Sequence, residues 1–195
     1  MKVLFTGGGS AGHVTPNVAL IERLLEQGHE VVYLGSAGGI EREIISKLDV
    51  RYRAVATGKL RRYFSWQNFI DPFKIAFGVL QALVMVAMER PQVLFSKGGF
   101  VSVPVVFAAW VNRVPVISHE SDVTPGLATR LNLPFSRWLC VNFEESRRYL
   151  PNDKVKVTGT PIRQALVQGD ASRAYSFLGI EQNKPVLLVF GGSLG

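Results

Sequence analysis

Short apolar runs alternate along this chain with longer stretches in which apolar residues recur every three or four positions. The short runs predict strands at Lys2–Phe5, Val31–Leu34, Tyr52–Val55, Val93–Ser96, Val114–Ser118 and Trp138–Asn142. The longer periods predict helices at Pro16–Gln27, Gly39–Leu48, Asn68–Glu89, Val101–Val111 and Gly126–Leu131. Pro16 stands in the first turn of its helix and Gly28 just past its end, the places each residue favours. Strands alternating with helices imply an α/β domain: a parallel sheet covered on both faces, with ligands beyond the carboxyl ends of its strands. Charged and turn-forming residues interrupt the pattern at Asn152–Arg163. A helix at Ala171–Leu178 and a strand at Val186–Phe190 follow, so the expected division is 1–160 and 161–195. The last residues, Gly191–Gly195, form a glycine loop with no helix after it, and the expectation is a piece of a longer protein.

Three predicted strands run directly into glycine loops: Gly7–His13, Lys97–Phe100 and Gly191–Ser193. Glycine lets backbone N–H groups approach a ligand closely, and a following helix start favours anions. Each loop alone is equally a tight strand-to-helix turn; three together point to a diphosphate or sugar-diphosphate cleft. Gly7, Gly9 and Gly12 also fit the dinucleotide fingerprint, but the second strand ends Tyr33-Leu34-Gly35-Ser36 without the acid that would hold a ribose. An NADP-dependent oxidoreductase is therefore the lesser reading, kept open by Arg42. His13 ends the first loop, and its ordinary pKa near neutrality suits a general base. His119-Glu120-Ser121-Asp122 follows a strand. His119 and Glu120 are assigned to the cleft, and Asp122 or Thr124 is an alternative cap for the helix at Gly126.

Composition narrows the class. With 47% hydrophobic and 19% charged residues in 195, the chain can bury a core and is not disordered. The lone Cys140 lies in an apolar run and reads as a buried thiol in a reducing compartment. No Cys/His metal spacing occurs, and the first residues read as a strand rather than a signal peptide. The net charge of +7 suits anionic lipid or phosphorylated ligands; without a nucleic-acid-binding motif, nucleic acid is the weakest partner. The apolar run from Ile75 to Met88 falls short of the ~20 residues a membrane span needs. The cations Lys59, Arg61, Arg62 and Lys74 mix with Trp66, Phe69 and Phe73, a combination that fits a membrane interface. Further along that helix both faces are apolar, which predicts core.

In order along the chain stand Gly-Gly-Gly-Ser-Ala-Gly-His-Val-Thr-Pro, Lys-Gly-Gly-Phe-Val-Ser-Val-Pro, His-Glu-Ser-Asp with Gly-Leu-Ala-Thr, Thr158-Gly159-Thr160-Pro161-Ile162-Arg163, and Gly-Gly-Ser-Leu-Gly. Together these motifs resemble the MurG family, and the resemblance covers the whole chain. It implies a GT-B glycosyltransferase of two Rossmann-like domains, the first taking a lipid acceptor at the membrane and the second holding most of the UDP-sugar site. By the resemblance, this chain is the acceptor half with the opening of the donor half, and alone it transfers nothing. The reaction implied adds N-acetylglucosamine from UDP-N-acetylglucosamine to undecaprenyl-diphosphate muramoyl-pentapeptide with inversion, at the cytoplasmic face of the membrane, without cofactor or metal. His13 matches the proposed base and Glu120 a catalytic cleft residue. Gly9, Ser10, Ala11, Gly12, Gly98, Gly99, Phe100, His119 and Asp122 match the acceptor-diphosphate site, and Arg163 and Ser193 the donor diphosphate. Many relatives have tyrosine where Phe100 stands, and the Phe100 side chain cannot donate a hydrogen bond. They also differ at Ser121, Asp122, Thr129 and Thr160. A different class, a polyprenyl-diphosphate-binding membrane module without catalysis of its own, is the alternative.

Overall fold

The computed structural model describes residues 1–57, 67–181 and 184–189, with side chains omitted for 67–73. Arg61, Arg62, Trp66 and Ser193 therefore lie outside the described residues, and Phe69 and Phe73 are placed only as helical backbone.

Seven strands form one parallel sheet: β1 (Lys2–Thr6), β2 (Glu30–Gly35), β3 (Arg51–Ala54), β4 (Val93–Ser96), β5 (Val116–Glu120), β6 (Trp138–Val141) and β7 (Val155–Val157), ordered β3-β2-β1-β4-β5-β6-β7. The helices are α1 (Thr15–Glu26), α2 (Ile40–Ile45), α3 (Gln67–Glu89), α4 (Ser102–Val111) and α5 (Leu127–Asn132), followed later in the chain by α6 (Gln164–Val167) and α7 (Ala171–Leu178). The chain order reverses between β1 and β4, which pair from Val3↔Val93 to Thr6↔Ser96. In such sheets the crevice beyond the carboxyl ends at that switch point is the binding place.

The alternation of side chains along each strand sorts the core into two layers. Leu4, Val32, Leu34 and Leu94 point to one face and pack with Ala82 and Val86 of α3 and Val105, Val106 and Ala109 of α4. Val3, Phe5, Val31 and Tyr33 point to the other and pack with Val18 and Ile21 of α1 and Ile45 of α2. Each such large apolar side chain contributes about 1.5–3 kcal/mol on burial.

Four expectations change. The C-terminal half of α3 is not core on both faces: Gly78, Ala82 and Val86 are buried, while Phe77, Leu80, Val84 and Met88 are exposed. The sheet and α4 cover one side of this helix and leave the other open. Residues 186–189 join no strand ladder among the described residues, and Leu187 is 89% exposed. β7 escaped the sequence reading because its three residues, Val-Lys-Val, sit among charges. Cys140 is half-buried, and burial holds its thiol above its usual value. The chain divides into two compact units, Met1–Pro161 and Ile162–Gly195.

Candidate functional site

The loop leaving β1 and the loop leaving β4 meet at the switch point. A methyl group on Gly99 would collide with the Gly8 carbonyl oxygen, and one on Gly9 with the Phe100 ring. Both glycines have left-handed φ, +87° at Gly9 and +78° at Gly99. A side chain at either would therefore be strained as well as crowded. The loops are also tied: the Lys97 N–H donates to the Thr6 carbonyl at 3.0 Å. From beneath, the Tyr33 hydroxyl donates to the Gly7 carbonyl at 2.8 Å, and Asn17 Nδ2 donates to the Tyr33 hydroxyl at 3.1 Å.

An acid does reach the first loop, but not from the end of β2. Glu41, fully buried on α2, accepts from the Gly9 N–H at 3.3 Å, from the Ser36 N–H at 3.0 Å and from the Ser36 hydroxyl. The Gly9 N–H is thus committed within the protein; toward a ligand Gly9 offers close approach rather than a donor. This carboxylate is closed around by Gly8 and Gly39, where a methyl would strike it, and leaves no place for a ribose. Arg42 donates to the Ala37 carbonyl at 2.9 Å. These two arrangements weigh against the dinucleotide reading.

His13 closes the short 3-10 turn Ala11–His13, with its ring facing the second loop: a Cβ on Gly98 would stand 3.6 Å from His13 Cδ2. Its Nδ1 is 2.6 Å from the Ser10 hydroxyl. In the tautomer with the proton on Nδ1 donating to Ser10, Nε2 carries a free lone pair. Burial, and then the Lys97 charge, hold the His13 pKa below its ordinary value, so the ring is neutral at neutral pH.

Glu120 is 8% exposed and ends β5. Oε1 accepts from the Asp122 N–H at 3.1 Å; Oε2 accepts from the Gly126 N–H at 3.1 Å and the Thr129 hydroxyl at 2.6 Å. Burial works against its charge, but these three donors and Lys97 outweigh it, so the carboxyl titrates below its usual range. A carboxylate so held is a poor base. It also corrects the capping alternative: the side chain serving the start of α5 is Glu120, whereas Asp122 is exposed and the N-cap residue is Gly126. His119, also buried, donates from Nε2 to the Gly159 carbonyl at 2.9 Å, which leaves Nδ1 unpartnered. Burial pushes its pKa down.

The structure therefore brings Gly9, Ser10, Gly12, His13, Gly98, Gly99 and Phe100 together at the switch point, with His119 and Glu120 at the adjacent end of β5. Ala11 lies within the His13 turn. Arg163 is exposed at the start of α6, in the second unit. The sequence reading missed Glu41 and Lys97. Glu41 stands one helical turn before the buried Ile45, a phase that pointed it inward. Lys97 is 2% exposed and donates to the Ser121 hydroxyl at 2.6 Å; its signal was a charge placed directly between an apolar strand and two glycines. Among the described residues no cluster of three His, Cys, Asp or Glu could hold a metal, and no helix is long and apolar enough to cross a membrane.

Residues 3–138 match the glycosyltransferase family 28 N-terminal domain. Over its whole length the chain is 55% identical to a protein of Clostridium kluyveri and 52% identical to one of Legionella pneumophila. Both are named UDP-N-acetylglucosamine–N-acetylmuramyl-(pentapeptide) pyrophosphoryl-undecaprenol N-acetylglucosamine transferase. The chain spans 55% and 54% of their lengths. Among solved structures, the MurG of Acinetobacter baumannii is 24% identical with a TM-score of 0.69, over 84% of this chain and 46% of that one. The UDP-GlcNAc 2-epimerase of Neisseria meningitidis, bound to UDP-GlcNAc, is 18% identical with a TM-score of 0.58, over 82% and 46%. At those identities the likeness is one of fold, a Rossmann-like domain.

Proposed function

The chain belongs to the glycosyltransferase family 28 N-terminal domain family, and on that premise we propose that it forms the acceptor-side half of a MurG-type enzyme. The whole protein would transfer N-acetylglucosamine from UDP-N-acetylglucosamine to undecaprenyl-diphosphate muramoyl-pentapeptide in peptidoglycan synthesis. The observation that carries this reading is His13, its Nδ1 held by the Ser10 hydroxyl, at the meeting point of two glycine loops in a chain whose full-length relatives bear that name.

In this proposal the acceptor's diphosphate lies along the loops of Gly9–Gly12 and Gly98–Phe100. The acceptor hydroxyl attacks the anomeric carbon of the donor sugar and passes its proton to His13 Nε2. The bond from that carbon to UDP breaks as the new one forms, which inverts the centre. A positioned base contributes ~10²–10⁴-fold. Glu120, its oxygens committed to the α5 start, shapes the pocket instead of taking the proton. Residues 161–195 would open the donor half, with Arg163 and Ser193 meeting the charge that develops on the leaving diphosphate.

The place of action in this proposal is the cytoplasmic face of the membrane, held peripherally. Support comes from the exposed Phe77, Leu80, Val84 and Met88 on α3, which line a groove of about 400 Å³ beside Arg53. The test of function is transfer of labelled N-acetylglucosamine to a lipid acceptor analogue by the whole protein. Turnover specific for a polyprenyl-diphosphate acceptor is expected; a whole protein that uses UDP-N-acetylglucosamine but ignores that acceptor would overturn the assignment.

A further inference from the structure

Lys97 stands at the switch point with no ion-pair partner among the described residues. It is 2% exposed. An ammonium that deep is costly unless it is paired or fully hydrogen-bonded. Yet Ser121 Oγ is its one hydrogen-bond partner among the described residues, and it forms no ion pair with any of them. An ammonium carries three N–H donors, so two remain unused. The nearby carboxylates do not fill the gap. Glu120 already accepts three hydrogen bonds from elsewhere, and Asp122 is exposed. Both act on Lys97 only through space.

The surroundings fit an anion. Lys97 lies in the seam where the glycine loops cross: its N–H is held by Thr6, and its Cβ would stand 3.1 Å from a Cβ on Gly7. The N–H groups of Gly12, on the first loop, and Gly99, on the second, have no acceptor among the described residues. The loop bearing Ser121 is fastened on both sides: the Ser121 carbonyl accepts from Asn142 Nδ2 at 3.1 Å, and His119 Nε2 donates to Gly159. The hydroxyl that orients the ammonium is therefore itself fixed.

We propose that Lys97 is the diphosphate-reading cation of this site, its two unused N–H donors taking phosphate oxygens that the loop amides of Gly12 and Gly99 also meet. The inference rests on the acceptor-half reading and adds to it a charged ligand for the diphosphate. In the alternative, Lys97 is only a tie between the β4 loop and Ser121. A diphosphate reaches the site on either the polyprenyl acceptor or the nucleotide donor, and the probes separate the two sources.

The test is calorimetric titration of this chain with farnesyl diphosphate, inorganic pyrophosphate, UDP and, as the uncharged control, farnesol. Lys97→Met keeps the stem and removes the charge. Hydrogen bonds to a charged group are worth enough that Lys97→Met is expected to weaken farnesyl diphosphate and pyrophosphate binding about ten- to hundred-fold. Farnesol binding should be unchanged. A loss confined to UDP would support the cation role and move it to the donor diphosphate. Equal affinities for every diphosphate in wild type and variant would overturn the Lys97 proposal while leaving the acceptor-half reading intact. A wild type that binds no diphosphate would overturn both. Should Lys97→Met fail to fold, lysine ¹⁵Nζ resonances of the wild type decide the matter, with Lys97→Arg giving the assignment. The Lys97 signal is expected to move as pyrophosphate is added; a signal that stays put while pyrophosphate binds would overturn the proposal.

Discussion

A histidine serves as a base only while its ring is neutral, and burial keeps His13 so, with the Lys97 charge as the second cause. In the whole protein His13→Ala is expected to lower kcat about 10²–10⁴-fold with KM and melting temperature little changed; steady-state kinetics beside a thermal melt would show it. The pH–rate profile carries the sharper prediction. kcat/KM should hold at and above neutral pH and fall on the acid side with an inflection below the ordinary imidazole value of about 6.5. Lys97→Met, by removing the second cause, should move that inflection upward. An inflection that ignores Lys97 would separate the two residues. The same burial has a consequence for stability. Below about pH 6.5 the unfolded chain binds protons that His13 and His119 refuse in the fold, so stability falls as pH drops from there toward the lowered folded values. His119→Gln keeps a donor for the Gly159 carbonyl and cannot be protonated, so its melting temperature should vary less across that window. That His13, His119 and Glu120 stand at or beyond the carboxyl ends of β1 and β5 was legible in the sequence, because each directly follows an apolar strand or ends the glycine loop that leaves one. That Glu120 serves the α5 start was not legible, because Asp122 and Thr124 stood equally near and only the fold selects among them.

At the scale of elements, apolar period predicted every α-helix and strand of the first unit except β7, with ends shifted by up to three residues, and it predicted none of the short 3-10 turns. What period cannot tell is how much of a helix the rest of the fold covers. In α3 both faces of the C-terminal half read as apolar, and only packing divides Gly78, Ala82 and Val86 from Phe77, Leu80, Val84 and Met88. Gly78 tests that division. Glycine within a helix costs about 1 kcal/mol relative to alanine, so propensity alone favours Gly78→Ala. A methyl there would run into the Ala56 carbonyl oxygen, and backbone does not give way cheaply. Overpacking costs typically about 1–3 kcal/mol, so Gly78→Ala is expected to destabilise. Denaturant unfolding of the two proteins decides which effect prevails. The start of α5 makes a parallel case. Glu120→Ala would leave the Asp122 and Gly126 N–H groups and the Thr129 hydroxyl without their acceptor. A single buried group left unsatisfied costs about 1–3 kcal/mol, so a loss toward the upper end is expected in the same experiment.

At the scale of the molecule, the exposed stripe of α3 is the proposed membrane face. Phe77, Leu80, Val84 and Met88 follow helical spacing along one face. Below them Glu89, itself buried, gathers Lys2 at 3.3 Å, Arg51 at 3.3 Å and Arg53 at 3.2 Å, and Lys2 also pairs with Glu30 at 3.0 Å, so three cations meet two acids at the end of the stripe. An apolar ridge flanked by excess positive charge is the arrangement of an interfacial helix on an anionic leaflet. The sequence pointed earlier, to Arg61, Arg62 and Lys74; Lys74 is the first residue of the same helix whose side chain is described. If both halves act, attraction at a distance is electrostatic and retention is apolar, and the two are separable by salt. Binding to vesicles rich in phosphatidylserine should weaken as ionic strength rises, because screening shortens the reach of the charges. Arg61→Glu with Arg62→Glu should remove most of that salt dependence. Replacing Leu80 and Val84 by serine should instead lower binding at every salt concentration, and it should leave the melting temperature nearly unchanged because both side chains are already exposed. Vesicle sedimentation across a salt series measures both effects. If the serine variant sediments as the wild type does, the stripe is not the membrane face, and the apolar side of α3 needs another explanation.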